Sequence, residues 1–211
     1  GLRTRAVMAV AFDRVIGLLG LFLLAALVSA VGWNVLKDLP ARELVVSISL
    51  AAGIVPLVAF RIAGSRRLYN NSHINRWCLG HKWGLRLKQM IGAFNGLREN
   101  PKTLFSALAL SVLNHTFWCV SLLFIETAVG YTVDPFKGFI VFPLAIFSGI
   151  FGVAGGFGLG TAAFDFLLSN LLSIQNGALI GLLFQTLGAL SRLFGLPFYL
   201  MEKNNSRSIP L

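Results

Sequence analysis

The chain has 211 residues, of which 56% are hydrophobic and only 12% charged, and its mean hydropathy is +0.76. Soluble globular domains carry about 25% charged residues, so this composition excludes an ordinary soluble fold. The formal net charge is +10, but nine of the eighteen lysines and arginines lie in residues 61–102. Basic segments beside membrane helices attract anionic lipid head groups. The charge therefore favours a membrane surface over nucleic acid as the partner.

Six apolar segments predict an all-α, polytopic membrane protein that forms a single helical domain over residues 1–211. A helix needs roughly 20 apolar residues to cross the hydrocarbon core of a bilayer. The segments lie at 15–31, with a possible extension back to residue 6, and at 44–60, 104–125, 139–154, 159–174 and 178–201. The chain begins with Gly1 rather than Met, and we expect it to be an N-terminally incomplete fragment.

The basic segment at 61–103 predicts the orientation of the chain. Cytoplasmic loops carry an excess of Lys and Arg, so this loop and the C-terminus are expected on the cytoplasmic side. Within it, residues 82–98 place apolar side chains on one helical face and basic ones on the other. That pattern is typical of a helix lying in the head-group plane, and it is equally compatible with a connector packed on the inner end of the bundle.

The two segments at 139–174 allow two topologies, because a spanning pair and a re-entrant hairpin both return the chain to the same side. Each segment is marginal for a full crossing, and the glycine-rich stretch at 155–160 joins them. Irregular backbone at membrane depth must be buried in protein or line a wet cavity. We therefore favour re-entrant or broken helices.

Charged groups inside membrane helices usually face the bundle interior or a water-filled path. The neighbours Asp13 and Arg14 cannot face each other on a helix. They are either an anchor at the inner interface or, for Arg14, a cation that attracts an anionic head group. His115 is expected to form an interhelical hydrogen bond rather than a proton relay. Glu126 and Asp134 are expected at the outer interface.

The last two segments carry further candidates. Thr161 and Asp165 are four residues apart and share a helix face. Gly181, with two further glycines at seven-residue intervals, predicts a seam of close helix packing. Gln185 and Arg192 lie on a neighbouring stripe. Arg192 has three interpretations: an ion pair with Asp165, a contact to a lipid phosphate, or an anchor at the interface.

The sequence contains no assembled catalytic motif and predicts no metal or cofactor. The two cysteines are too few for a disulfide scaffold. The glycine-rich stretch lacks both the phosphate-loop and the dinucleotide-binding patterns. An enzyme is accordingly not the favoured class.

Three motifs resemble the lysylphosphatidylglycerol synthase transmembrane-region family, a flippase-like family of integral membrane proteins. DRVIGLL at 13–19 resembles its "DR-hydrophobic-hydrophobic-G-L" signature, and SVLNH at 111–115 resembles its next helix motif. GGFGLGTAAF at 155–164 is similar to its "PGGxGxGEAAF" motif. The resemblance covers nearly the whole chain in order and spacing, and the earlier helices of the family are absent. It implies a lipid-handling site around Gly155, Gly156 and Gly158.

The chain departs from the family pattern at several positions. Phe151 and Ala154 stand where the family has prolines, and Thr161 stands where it has an acidic residue. Asp165, one turn later, is the candidate substitute. A frequent family arginine in the last helix falls near Gln185. These departures put an acid-dependent transport step in doubt.

The resemblance implies a bacterial inner-membrane protein that handles phospholipid or polyprenyl-linked lipid and moves it between leaflets. We expect the lipid phosphate to lie between the glycine-rich stretch and the last helix, near Arg14 or Arg192, with glycine N–H groups as further donors. The alternative is a membrane part, or a docking partner, of a lipid-modifying enzyme such as an aminoacyl-phosphatidylglycerol synthase or a lipid-linked glycosyltransferase.

Overall fold

A computed structural model describes residues 2–63, 84, 100–149, 157–194 and 197. Every regular element among these residues is a helix, which confirms the all-α class. The helices are α1 (Leu2–Val31), a short 3₁₀ helix (Val35–Asp38), α2 (Arg42–Ala63), α3 (Pro101–Val129), α4 (Pro135–Ser148), α5 (Leu159–Leu172) and α6 (Gly177–Leu193). Each predicted apolar segment overlaps one of the α-helices, and the ends of two of them, at 150–154 and 198–201, lie outside the described residues. The predicted amphipathic helix at 82–98 lies outside the described residues except for Gly84.

Among the described residues, two helices are long and apolar enough to cross a membrane, at Asp13–Val31 within α1 and at Pro101–Val129. Helices α4 and α5 have 14 residues each and α6 has 17. At 1.5 Å per residue, 14 residues extend about 21 Å, which is less than a hydrocarbon core of about 30 Å. Neither α4 nor α5 alone is therefore long enough to span.

The chain divides into two compact units, residues 1–118 and 119–211. In the first unit α2 packs against α1 through small residues. A Cβ added at Gly53 would lie 3.3 Å from the carbonyl oxygen of Phe22 and 3.7 Å from the Cβ of Ala26. Two buried serines on these helices, Ser29 and Ser49, donate their hydroxyls to carbonyls four residues earlier. Both polar groups are thus satisfied inside an apolar interface.

The connection between α1 and α2 carries an aromatic and a basic side chain in contact. The guanidinium carbon of Arg42 lies 4.0 Å from the ring centroid of Trp33. Arginine over the face of tryptophan is a favourable cation–π arrangement. The contact joins the residues that follow α1 to the first residue of α2.

In the second unit α4 begins with a regular helix cap. The carboxylate of Asp134 accepts hydrogen bonds from the backbone N–H groups of Phe136 at 2.8 Å and Lys137 at 3.3 Å. The helix continues through the buried Pro143 to Ser148. A Cβ at Gly138 would stand 3.3 Å from the side chain of Leu123. The nearest neighbour of that Cβ would be the ring of Phe142 on α4 itself, at 2.8 Å, so glycine at this position leaves room for the ring.

Candidate functional site in the second unit

Helices α5 and α6 form an antiparallel hairpin with a very close crossing. A Cβ at Gly181 would lie 2.6 Å from the Cβ of Phe164, and a Cβ at Gly177 would lie 2.8 Å from the Cα of Asp165. Both distances are below ordinary van der Waals contact, so no larger residue fits without a shift. The predicted glycine seam is correct at Gly181 but starts one turn earlier, at Gly177. Its third predicted member, Gly195, lies outside the described residues.

Two polar contacts join the same pair of helices. The carboxylate of Asp165 on α5 accepts a hydrogen bond of 2.8 Å from the backbone N–H of Ala178. The hydroxyl of Thr161 donates to Oε1 of Gln185 at 2.9 Å. Thr161 and Asp165 thus both point towards α6, as their spacing predicts. Asp165 satisfies a free N–H in the first turn of α6, where a negative charge is also favoured by the helix dipole.

The ion pair considered between Asp165 and Arg192 is wrong. Asp165 binds the second residue of α6, whereas Arg192 lies in its last turn and is exposed. Fourteen residues separate Ala178 from Arg192, which is about 21 Å along the helix. The carboxylate serves instead as a helix cap, because the backbone N–H groups at the start of α6 need acceptors. Exposure of Arg192 leaves the interface anchor and the phosphate contact as its two interpretations.

The described part of the glycine-rich stretch, residues 157–160, lies at the N-terminal end of α5. Gly158 precedes the helix with φ +85°, a conformation that side chains other than glycine rarely adopt, and no side chain caps this end. A Cβ at Gly160 would lie 3.1 Å from Nε2 of Gln185 and 3.1 Å from the Cα of Gly149. The backbones of Gly149 and Gly160 and the side chain of Gln185 therefore pack against one another here. Gly155 and Gly156, which belong to the predicted site, lie outside the described residues.

Gln185 is the most buried polar member of this group, with 7% of its surface exposed. Its oxygen is occupied by Thr161, while its Nε2 has no hydrogen-bond partner. A buried amide N–H₂ without an acceptor costs about 1–3 kcal/mol. The arrangement consequently holds an unused donor beside the N-terminal turn of α5.

Glu126 is a second buried polar group, and the sequence did not single it out for a site. The side chain is 1% exposed, and neither carboxyl oxygen has a hydrogen-bond partner in the structure. Glu126 is therefore buried within the second unit, and its position at the outer interface stays a prediction. Cys119 and Leu122, also buried, precede it at spacings of seven and four residues on α3. That shared helical face is the signal in the sequence that could have indicated its burial.

The remaining predicted residues lie in the first unit. Nε2 of His115 on α3 lies 2.9 Å from the carbonyl oxygen of Gly17 on α1. Since a carbonyl can only accept, Nε2 carries the proton, and the predicted interhelical hydrogen bond is confirmed. Ser111, one turn earlier, donates to the carbonyl of Ile16 at 3.2 Å. Asp13 and Arg14 are exposed and lie at the start of the apolar span Asp13–Val31. Their position favours the anchor interpretation.

The described polar groups of the second unit are mainly hydrogen-bond donors and acceptors. Thr161, Gln185 and the first N–H groups of α5 supply hydrogen-bond donors, and none of them is an activated nucleophile or a paired acid and base. Among the described residues, no group of three His, Cys, Asp or Glu side chains could hold a metal ion. Comparison of the chain with protein-family models, curated proteins and solved structures gave no significant match.

Proposed function

We propose that this chain is an integral membrane protein that binds phospholipid or polyprenyl-linked lipid and moves it between leaflets. The observation that carries the membrane part is the surface of α3. Four large apolar side chains, Leu110, Leu113, Phe117 and Phe124, are 51–72% exposed. At 100° per residue they fall within a stripe of about 60° on one face of the helix.

That stripe lies opposite the buried one formed by Cys119, Leu122 and Glu126. Both faces of α3 are therefore largely apolar, and the helix is 29 residues long. A helix that is apolar all round belongs in a protein core or in a membrane. Large side chains each gain roughly 1.5–3 kcal/mol when they leave water, so contact with lipid tails removes a substantial cost that water would impose on this surface.

The second unit supports the lipid-handling part of the proposal. Its helices α4 and α5 are too short to cross a bilayer singly, and the glycine-rich connection lies between them. Non-helical backbone at membrane depth is tolerated where it lines a cavity, and broken helices of transporters commonly form substrate sites. The same unit contains two buried polar side chains with unpaired atoms, Gln185 and Glu126. A site for a polar head group requires polar side chains inside the apolar unit.

The resemblance of three motifs to the lysylphosphatidylglycerol synthase transmembrane-region family supports the same substrate class. It also supports a bacterial inner-membrane location, with residues 61–103 on the cytoplasmic side against anionic head groups. Nine basic residues at 61–102 provide the charge for that contact. A docking role towards a lipid-modifying enzyme would use the same segment, so it is the alternative that the experiment must separate.

Reconstitution tests the proposal directly. The purified chain is placed in vesicles that contain a fluorescent phospholipid in both leaflets, and a membrane-impermeant reductant then quenches the accessible label. We expect protein to raise the quenched fraction above the outer-leaflet share. Protein-free vesicles and vesicles with an unrelated helical membrane protein are the controls. A quenched fraction equal to that of the controls would refute lipid translocation and favour the docking role.

A further inference from the structure

We propose that two copies of this chain associate in the membrane through an exposed face of α3 that is centred on the bilayer midplane. This surface, the Asn114 face, consists of Ser106, Leu110, Leu113, Asn114 and Phe117, which are all exposed. At 100° per residue they lie within an arc of about 100°. The proposal rests on the membrane part of the proposed function and goes beyond it, because it names a protein partner.

Asn114 lies close to the middle of a membrane-spanning helix. It is thirteen residues from the first residue of α3, Pro101, and fifteen from the last, Val129. At 1.5 Å per residue, each end of the helix is about 20 Å or more away. An asparagine side chain is too short to reach water over that distance. Its amide therefore faces lipid tails, which neither donate nor accept hydrogen bonds, unless another polar group covers it.

The amide of Asn114 makes no hydrogen bond within the described part of the chain. Asn170 on α5 shows how a helix can satisfy such a group by itself, since its Nδ2 donates to the carbonyl oxygen of Phe166, one turn earlier, at 2.7 Å. Asn114 leaves both its N–H groups and its carbonyl oxygen available to a group outside the chain. Asparagine in membrane helices commonly forms hydrogen bonds to a neighbouring helix.

Polar residues on other sides of α3 are satisfied within the chain. Ser111 donates to the carbonyl of Ile16 on α1, and Thr116 donates to a carbonyl of its own helix. Ser106 and Asn114 are both exposed, and neither has a hydrogen bond among the described residues. They are eight residues apart and so lie on the same side of the helix. These two unpaired groups thus both point to a partner on the Asn114 face.

A second copy of the chain fits this face because an asparagine amide is self-complementary. Each amide donates through Nδ2 and accepts through Oδ1, so two copies of Asn114 can satisfy each other. A two-fold axis along the membrane normal brings the same surface of both copies together. It also keeps every residue at the depth of its counterpart. Each Asn114 therefore meets a polar partner at the centre of the bilayer.

The neighbours of Asn114 suit the packing of one helix against another. Leu110, Leu113 and Phe117 are large and 51–66% exposed. Ser106 is small enough to let two helix backbones approach each other. These four residues follow one another at intervals of four, three and four, which is the spacing of a heptad seam between paired helices. Pairing leaves the apolar side chains inside the bilayer and is compatible with the membrane location of α3.

Disulfide cross-linking in membranes tests which face meets the second copy. Single cysteines are introduced in a chain whose Cys78 and Cys119 are replaced by alanine. Leu110→Cys lies on the Asn114 face. Phe105→Cys is the matched control, because Phe105 is 75% exposed but lies about 140° away around the helix. We expect oxidation to convert most of the Leu110→Cys chain and little of the Phe105→Cys chain to a covalent dimer. Equal cross-linking at both positions would overturn the interface.

Energy transfer between donor- and acceptor-labelled chains in vesicles measures the strength of association as lipid is added. Asn114→Leu should weaken association about threefold to thirtyfold, the value of hydrogen bonds between membrane helices. Asn114→Gln keeps the amide and should associate more tightly than Asn114→Leu. Thr116→Val is the matched control and should associate like the wild type, because the Thr116 hydroxyl is already bonded within its own helix. Wild-type association of Asn114→Leu, or an equal loss in Thr116→Val, would overturn the proposal.

Oligomeric state and lipid translocation are separate measurements, so the two proposals can fail independently. A chain that dimerises through Asn114 but moves no lipid would support the interface and refute translocation. A wild-type chain that moves lipid but stays monomeric at every protein density would overturn the interface and leave the function standing. Lipid or a different protein would then be the occupant of the Asn114 face.

Discussion

Two glycines on α1 provide a matched test of the helix packing in the first unit. Gly17 and Gly20 are three residues apart, and a Cβ at Gly17 would meet nothing within 4 Å. A Cβ at Gly20 would overlap the hydroxyl of Ser111 and lie 2.6 Å from the Ser111 Cβ and 3.0 Å from its backbone carbon. The same substitution therefore has opposite expected effects at the two positions.

Gly17→Ala should stabilise the protein by about 0.4–1 kcal/mol, because alanine is the better helix former and restricts the unfolded chain. Gly20→Ala gains the same amount but must displace α3, and overpacking typically costs about 1–3 kcal/mol. It also disturbs the hydrogen bond from Ser111 to Ile16, worth about 1 kcal/mol. The net expectation is a loss of about 1–3 kcal/mol.

Equilibrium unfolding in mixed detergent micelles measures both changes. We expect the unfolding midpoint to rise for Gly17→Ala and to fall for Gly20→Ala. Adding Ser111→Ala to Gly20→Ala should give at most partial rescue, since the Ser111 Cβ at 2.6 Å remains. Equal stabilisation by alanine at both glycines would refute the close crossing of α1 and α3.

Three further predictions concern buried or capping charges and topology. Asp165→Ala should lower stability by about 0.5–2 kcal/mol, because the N–H of Ala178 loses its acceptor. Its effect should add to that of Arg192→Gln within about 0.5 kcal/mol in detergent melting, and strong coupling between the two would restore the ion pair. In the same assay Glu126→Gln should leave the stability of the protein unchanged or raise it. Glu126→Lys should lower it strongly, because the side chain is buried and has no partner there. A stable Glu126→Lys variant would contradict the burial. A single cysteine at Lys82, in a chain without native cysteines, should resist an impermeant thiol reagent added to intact cells, and labelling from outside would reverse the proposed orientation.

The helices could be predicted because they depend on long apolar segments. Helix α1 begins at Leu2 and thus includes residues 6–12, the possible extension of the first apolar segment. Helix α6 begins at Gly177, one residue before the expected start. Local composition was sufficient for these elements. The Ser111 and His115 motif likewise identified a real contact with α1.

The partners of the charged residues could not be predicted in the same way. Asp165 binds a backbone N–H thirteen residues away. Every residue except proline has a backbone N–H, so the sequence cannot show which one a carboxylate will bind. Opposite side-chain charge suggested Arg192 instead. The burial of Glu126 could not be predicted, because the residue directly follows the apolar segment at 104–125 and its alignment with Cys119 does not show which face of the helix is buried.

The shortness of α4 and α5 has a consequence for the surrounding lipid. If these helices lie at the bilayer depth that the proposed function requires, their length of about 21 Å falls about 9 Å below an average hydrocarbon thickness. A bilayer adapts to such a mismatch by thinning locally, at a modest cost per ångström. Thinning shortens the path of a head group between leaflets, so vesicles of shorter-chain lipids should support faster translocation than vesicles of longer-chain lipids.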